Sequence, residues 1–341
     1  MIVHQGTQRD IKPDVYDVLL GKFKADAAPL FNRLRRLPDS PDATLFNWPA
    51  DKRDTPSTDG AVEGRRYDQA NVVNHGNRDR LYGRMHYIKE EIGVGEVSEG
   101  NQVFGTNGKA EYAYEMDAAL IKTIDSADYV IVGGQEAQAG NKNDAFRTRG
   151  LERLIVDTAG IAVQTDAQTI VPAAFRPAAA QIQSLTVDGG DYTLTEDMLN
   201  APFESVFNVL KAKIDMDVWC TTTYKKKVTK MGLLAPTVAD MTVVRRFNQN
   251  AADMKIVATV DTYHGDFGKA RFDLEPWMRT NTGTQKTEAF GLEMSYGGLR
   301  MRTAPGVKNL PDQAAGKEGY TQCMFGLQLT PIYQAAWRRD S

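Results

Sequence analysis

The chain has 341 residues, enough for a large core in two lobes, and its 42% apolar and 25% charged residues exclude wholesale disorder. A net charge of -3 excludes a generic basic nucleic-acid binder while leaving room for a local basic face. The two cysteines, Cys220 and Cys323, read as reduced thiols rather than a disulfide framework. No apolar run reaches membrane-spanning length, and MIVHQGTQRD does not read as a signal peptide, so the expected setting is a reducing cytoplasm with no membrane contact.

In chain order, Val15, Val18, Leu19 and Phe23 recur at helical spacing after Pro13-Asp14, and Leu30, Phe31 and Leu34 continue on a short turn after Pro29. Arg33, Arg35 and Arg36 form a basic cluster that reads as a solvated face, or as an arm meeting an acidic neighbour. Leu45 to Trp48 alternates like a strand. Pro49 to Gly64 then reads PADKRDTPSTDGAVEG, with almost nothing to bury. So long a loop points to disorder or to an arm that finds its surface on another subunit. Strand-like residues resume at Val72-Val73, Leu81-Tyr82 and Tyr87-Ile88.

Asn107 to Val132 predicts one long helix. Tyr112, Met116, Leu120, Ile124 and Ile131 form its apolar ladder, Thr106 or Asn107 its cap, and Gly133-Gly134 a left-handed stop. Gln135 to Asn143 reads as a flexible connection. Thr193 to Lys211 predicts a second helix, opened by the capping box Thr193-x-x-Glu196. Val218 to Cys220 is a short strand, and Thr222 or Thr223 caps a further helix whose Lys225, Lys226 and Lys227 read as a solvated face. Met241–Arg246 and Met254–Tyr263 are strands, the second turned by Gly265-Asp266-Phe267-Gly268 into Lys269–Leu274. Thr321 to Trp337 is strand again, broken at Pro331.

Chemistry is sparse. Leu154 to Gly160 imitates the D-x-x-G turn of a GTPase and Asn141-Lys142-Asn143-Asp144 its base-reading motif. No phosphate-cradling loop exists, because Gly105-Thr106-Asn107-Gly108-Lys109 is too short, and the motif order is wrong. Asp157-Thr158-Ala159-Gly160 is not a protease signature, and Gly93-x-Gly95 lacks the third glycine of a dinucleotide fingerprint. His4, His75, His86 and His264 lack metal-ligand spacing and read as satisfied or exposed. The carboxylates read as unpaired. No catalytic, cofactor-binding or metal residues are expected.

Taken in order, these pieces resemble the major capsid proteins of tailed bacteriophages with the Hong Kong 97-type fold. The resemblance rests on Phe46-Asn47-Trp48 leading to Val62-Glu63-Gly64, on the glycine-ended helix followed by Thr148-Arg149-Gly150-Leu151-Glu152-Arg153-Leu154-Ile155, and on Tyr263-x-Gly265-Asp266-Phe267-Gly268. It implies an α+β fold: an N-terminal arm (1–44), an extended loop with flanking strands (45–92), a peripheral domain with a spine helix (93–150), a mainly axial domain (151–270), and late strands returning to both sheets (271–341). It also implies a non-enzymatic subunit that self-assembles into hexamers and pentamers of an icosahedral virion shell, made in the host bacterial cytoplasm. The expected partners are portal, scaffolding and decoration proteins, with weak contacts to packaged double-stranded DNA. Asp51, Lys52, Arg53, Asp54, Glu63, Arg65 and Arg66 of the loop, with Arg33, Arg35 and Arg36, are the expected assembly contacts. A soluble enzyme with residues 49–66 as a lid, and a non-viral compartment shell, are the competing readings.

Overall fold

The computed structural model of the chain describes residues 28–38, 43–53, 56, 63, 78–96, 111–233, 261–278, 287–311 and 316–339. In chain order these form helix α1 (Pro29–Arg33) and strands β1 (Arg36–Leu37), β2 (Leu45–Asp51), β3 (Arg78–Arg84) and β4 (His86–Gly95). Helices α2 (Glu111–Val132) and α3 (Leu151–Leu154) follow, then strands β5 (Ile182–Leu185), β6 (Val187–Asp188) and β7 (Asp191–Tyr192). Next come α4 (Glu196–Leu210), β8 (Ile214–Cys220), α5 (Thr222–Leu233), β9 (Thr262–Gly265) and β10 (Gly268–Leu274). The last elements are β11 (Thr287–Glu293), β12 (Gly297–Asn309), β13 (Gly316–Leu329) and β14 (Ala335–Arg339).

Two sheets organise the chain. One has four strands in the order β1-β12-β13-β4, and the other six in the order β5-β14-β11-β8-β10-β9. In the first, β12 and β13 form a long antiparallel ribbon, β4 pairs antiparallel with β13, and β1 adds parallel to β12. Helix α2, about 33 Å long at 1.5 Å per residue, packs across β4 and β13. Its buried side is Met116, Thr123, Ala127, Asp128, Ile131 and Val132. The expected ladder therefore lies partly on the flank, with Leu120 and Ile124 only half-buried. Thr123 in α2 bonds Thr321 in β13 at 2.7 Å, which pins helix to strand.

The start of α2 before Glu111 lies outside the described residues, but its end corrects the sequence reading. Neither Gly133 nor Gly134 has a positive φ. The Gln135 side-chain amide instead donates to the Val130 carbonyl. Glycine is needed here for close approach: a Cβ on Gly150 would stand 1.9 Å from the Gly133 carbonyl oxygen. The connection after α2 is likewise fixed, since Gln138 and Arg147 exchange backbone hydrogen bonds at 3.1 and 3.3 Å.

In the second sheet β8 is central, between β10 (parallel) and β11 (antiparallel), and longer than expected at Ile214–Cys220. Helices α4 and α5 cover one face over Leu199, Phe203, Val206, Tyr224, Val228 and Trp337. The cap of α4 is Thr195, whose hydroxyl accepts the Met198 N–H at 3.3 Å, and not Thr193. Pro202 inside α4 cannot donate to the Met198 carbonyl one turn earlier. The Trp337 indole N–H takes that acceptor at 3.0 Å. Thr221, rather than Thr222 or Thr223, caps α5 by accepting the Tyr224 N–H at 3.2 Å. The β9–β10 hairpin forms at the expected Gly265–Gly268 turn. Gly268 has φ 149° and no room for a side chain against Ile214. The expected strands at 241–246 and 254–260 lie outside the described residues, as do the elements before residue 28.

Candidate assembly surfaces

The N-terminal anchor comes first. Pro29 opens α1, and Leu30, Phe31 and Leu34 are buried against α2 and the four-stranded sheet. Arg33 Nε lies 3.1 Å from Asp217 of β8. Arg36 stacks its guanidinium 4.1 Å from the centre of the Phe31 ring, with Nη1 3.6 Å from the Met301 sulfur. Burial lowers the Arg36 pKa. The carbonyl of Arg35 accepts the Leu299 N–H at 2.8 Å while its side chain is exposed. All three side chains are exposed, as the solvated-face reading expects, while Arg33 and Arg36 also fasten the chain to its own sheets.

The hairpin of β2 and β3 is the second surface. It begins where the strand was expected, but β2 runs on through Pro49 and Ala50 to Asp51, so the first three loop residues are strand. Pro49 is tolerated because a two-stranded ribbon consists only of edges. Phe46 stacks on Trp48 at 5.6 Å and lies on bare backbone, since a Cβ on Gly83 or Gly326 would come within 2.6 or 2.3 Å of its ring. Asp51 lies 3.5 Å from Arg78, its carbonyl accepts the Tyr333 hydroxyl at 2.8 Å, and Arg53 reaches the Lys211 carbonyl at 3.5 Å. Lys52 is half-buried and Glu63 exposed. Asp54, Arg65 and Arg66 lie outside the described residues, as do Val72-Val73.

A joint connects the two sheets. Arg149 pairs with Glu136 and donates to Thr169, while Arg84 grips Asp166 through two bonds of 2.6 and 3.1 Å. Arg338 of β14 donates to the carbonyls of Glu152 and Ile155, both at 2.7 Å. The two GTPase-like fragments are plain turns: Gly160 N–H donates to Asp157 at 2.7 Å, and Asn141 accepts the amides of Asn143 and Asp144 at 2.7 and 2.9 Å. Lys225 and Lys227 are not a solvated face, because they pair with Asp261 and Asp191 at 2.9 and 2.7 Å; Lys226 alone is exposed. Cys220 and Cys323 are free, buried and in different sheets, and burial pushes each thiol up to about 12.

Beside the edge strand β4, an open groove of about 850 Å³ runs along α2. Ile92 and Val94 contribute apolar surface, and Glu90, Glu115 and Asp125 give its wall acidic character. Gly93 and Gly95 leave the strand backbone uncrowded.

Four polar side chains set into the protein escaped the sequence reading. His86 is neither satisfied nor exposed: its Nδ1 has no partner among the described residues, and burial beside Arg147 lowers its pKa to about 4. Glu288, fully buried in β11, pairs with Arg339 and accepts from Tyr192 and Thr221. Asp128 and Glu275 both face the Leu30 amide, so carboxylates do come together here; burial, and for Asp128 also its neighbour's charge, pushes both pKa values well above the usual range. One signal was visible: Asp128 sits four residues after Ile124, on the rung the apolar ladder skips.

This two-sheet architecture, with a helix spanning one sheet and a hairpin projecting from it, recurs in solved phage shells. A structure from Mycobacterium phage Bobi matches with a TM-score of 0.56 at 12% identity, covering 98% of this chain and 97% of that one. The capsid of an empty GTA particle gives 0.60 at 11%, covering 97% and 96%. Gordonia phage Cozz gives 0.53 at 12%, covering 97% and 92%. The fold is therefore the Hong Kong 97-type capsid fold expected from the resemblance. Comparison with curated proteins finds no match. The model of the SU10 major capsid protein family matches residues 3–338, and the chain belongs to that family. It is a phage major capsid protein, a structural component of the virion.

Proposed function

We propose that this subunit builds an icosahedral shell from pentamers and hexamers, encloses double-stranded DNA with weak contacts, and has no enzymatic activity. Assembly takes place in the host bacterial cytoplasm, with portal, scaffolding and decoration proteins as partners. The family match over residues 3–338 is the observation that carries this reading. Residues 1–44 act as the arm, 45–92 as the extended loop, 93–150 as the peripheral domain with α2 as its spine, and 151–270 mainly as the axial domain; the strands from 271 onward serve both sheets. Asp51, Lys52, Arg53, Asp54, Glu63, Arg65 and Arg66 contact a neighbour, together with Arg33, Arg35 and Arg36. Support comes from the exposed charges at Arg35, Asp51 and Arg53. Many modest contacts repeated around a shell sum to a stable particle.

The test is negative-stain microscopy and sedimentation of the purified protein beside a variant in which residues 54–62 are replaced by a short Gly-Ser turn. That deletion spares the Asp51 and Arg53 contacts with Tyr333 and Lys211. The expected result is shells or capsomers for the parent, and a folded, soluble subunit with little assembly for the variant. Native-like particles at parental yield would remove the loop from the assembly contacts. A discrete small oligomer with measurable turnover in the parent would sink the non-enzymatic shell reading.

A further inference from the structure

The first turn of α1 meets an acidic pair to which no cation is paired among the described residues. Asp128 in α2 is fully buried, and Glu275, just after β10, is 3% exposed. Asp128 Oδ1 accepts the Phe31 N–H at 3.0 Å, and Glu275 Oε1 accepts the Trp277 N–H at 3.1 Å. The Leu30 N–H faces both carboxyl groups. The remaining oxygens, Asp128 Oδ2 and Glu275 Oε2, are buried without a hydrogen-bond partner among the described residues.

Among the described residues, the charges on the surrounding elements are engaged elsewhere or are of the same sign; on β10, Arg271 pairs with Asp273. On α1, Arg33 pairs with Asp217; on β1, Arg36 covers Phe31. On α2, Lys122 pairs with Glu90 of β4, and Asp125 adds a further negative group one turn before Asp128. Beyond α2, Arg149 pairs with Glu136; on β12, Arg300 donates to Gln328 of β13. Two ionised carboxylates in such a place would lose their hydration and repel each other.

We propose that Asp128 and Glu275 share a single proton, one as a carboxylic acid donating through its orphaned oxygen to the orphaned oxygen of the other. The pair then carries one negative charge, which the amides of Leu30 and Phe31 face. It forms a latch that holds α1, and with it the chain leading into the four-stranded sheet, while the proton is present. Removing the proton leaves two desolvated like charges and loosens α1. The pair holds this proton more tightly in the folded chain than either carboxyl group does in the unfolded one. The stability it contributes is therefore complete below the ordinary carboxylate range and is lost as pH rises above that range.

Hydrogen exchange of the Leu30 and Phe31 amides, corrected for the intrinsic rate, tests this in the full chain at about pH 6 and about pH 9. The expected result is a loss of protection of about tenfold or more at the higher pH, the size of one unit of pKa. Asp128→Asn and Glu275→Gln place an amide donor where the shared proton sits, so protection in these variants should no longer respond to pH. Loss of the response in either variant supports the shared proton. A response that persists in both, its absence from the parent protein, or failure of both amide variants to fold overturns the proposal.

Discussion

The two sheets solve different problems. The six-stranded sheet is sealed at its centre, with β5, β9 and most of β10 left partly exposed at its edges: every residue of β11 is buried, and so are most of β8 and the first three residues of β14. The four-stranded sheet is sealed at one end only. Its ribbon starts with buried Gly297 to Leu299 but ends with exposed Lys308, Asn309 and Leu310, and Val307 and Leu310 are 43% and 42% exposed. A sealed sheet supplies folding free energy by removing apolar area from water. A sheet that overhangs its own core leaves surface for another molecule to cover.

If that division is right, the largest losses of stability come from the sealed sheet. Trp337→Ala empties a fully buried site between Phe203 and Tyr224 and should cost about 3–5 kcal/mol. Arg339→Met leaves the Glu288 carboxylate buried without its cation, with a cost of about 3–5 kcal/mol. Denaturant unfolding measures both, and a loss below about 1 kcal/mol in either would contradict the burial argument.

Leu120→Pro should cost about 3 kcal/mol or more, because it removes a backbone donor in mid-α2 and clashes with the preceding turn. Fully assembled, soluble particles from this variant would show that α2 does not support the overhanging sheet. His86 supplies a smaller, pH-dependent effect. Its folded pKa of about 4 is below the unfolded value of 6.5, so the unfolded chain takes up the proton first as pH falls. That stability is intact above about pH 6.5 and declines by about 2–3 kcal/mol toward pH 4. His86→Gln should flatten the acid side of a thermal-unfolding profile. The smallest effect on folding sharpens the comparison most. Val307→Ser and Leu310→Ser should change stability by less than about 0.5 kcal/mol, yet reduce shell yield in sedimentation. Unchanged yield would mean that the overhang is not used.

Legibility in the sequence followed local physics. Helix α2 showed through its repeat and α4 through its apolar face, and the β9–β10 hairpin showed through its glycines. Strands β11 and β12 gave no comparable signal. Thr287, Glu288 and Glu293 are all buried in β11, so polarity does not alternate with exposure there. The expected left-handed stop at Gly133-Gly134 does not form; the Gln135 side chain takes the Val130 carbonyl, and the Gly133 carbonyl packs on Gly150, 17 residues on, a contact no local pattern encodes. The lysine trio misled for the same reason: Asp191 and Asp261, the partners of Lys227 and Lys225, are far away in sequence. The candidate contacts were legible as charge, but whether a charge faces its own subunit, as at Arg33, depends on tertiary packing.

The wiring of the sheets sets a timetable for synthesis. The four-stranded sheet takes β1 and β4 from residues 36–37 and 86–95, and β12 and β13 from residues 297–329. The six-stranded sheet joins β8 to β11 and β14, the last reaching residue 339. Neither can close until the ribosome has passed those late strands, and pairing so distant in sequence is slow. Until then α2 and β4 have no β13 to pack on. A nascent chain therefore presents no finished subunit surface to its neighbours on a polysome until β13 and β14 have emerged.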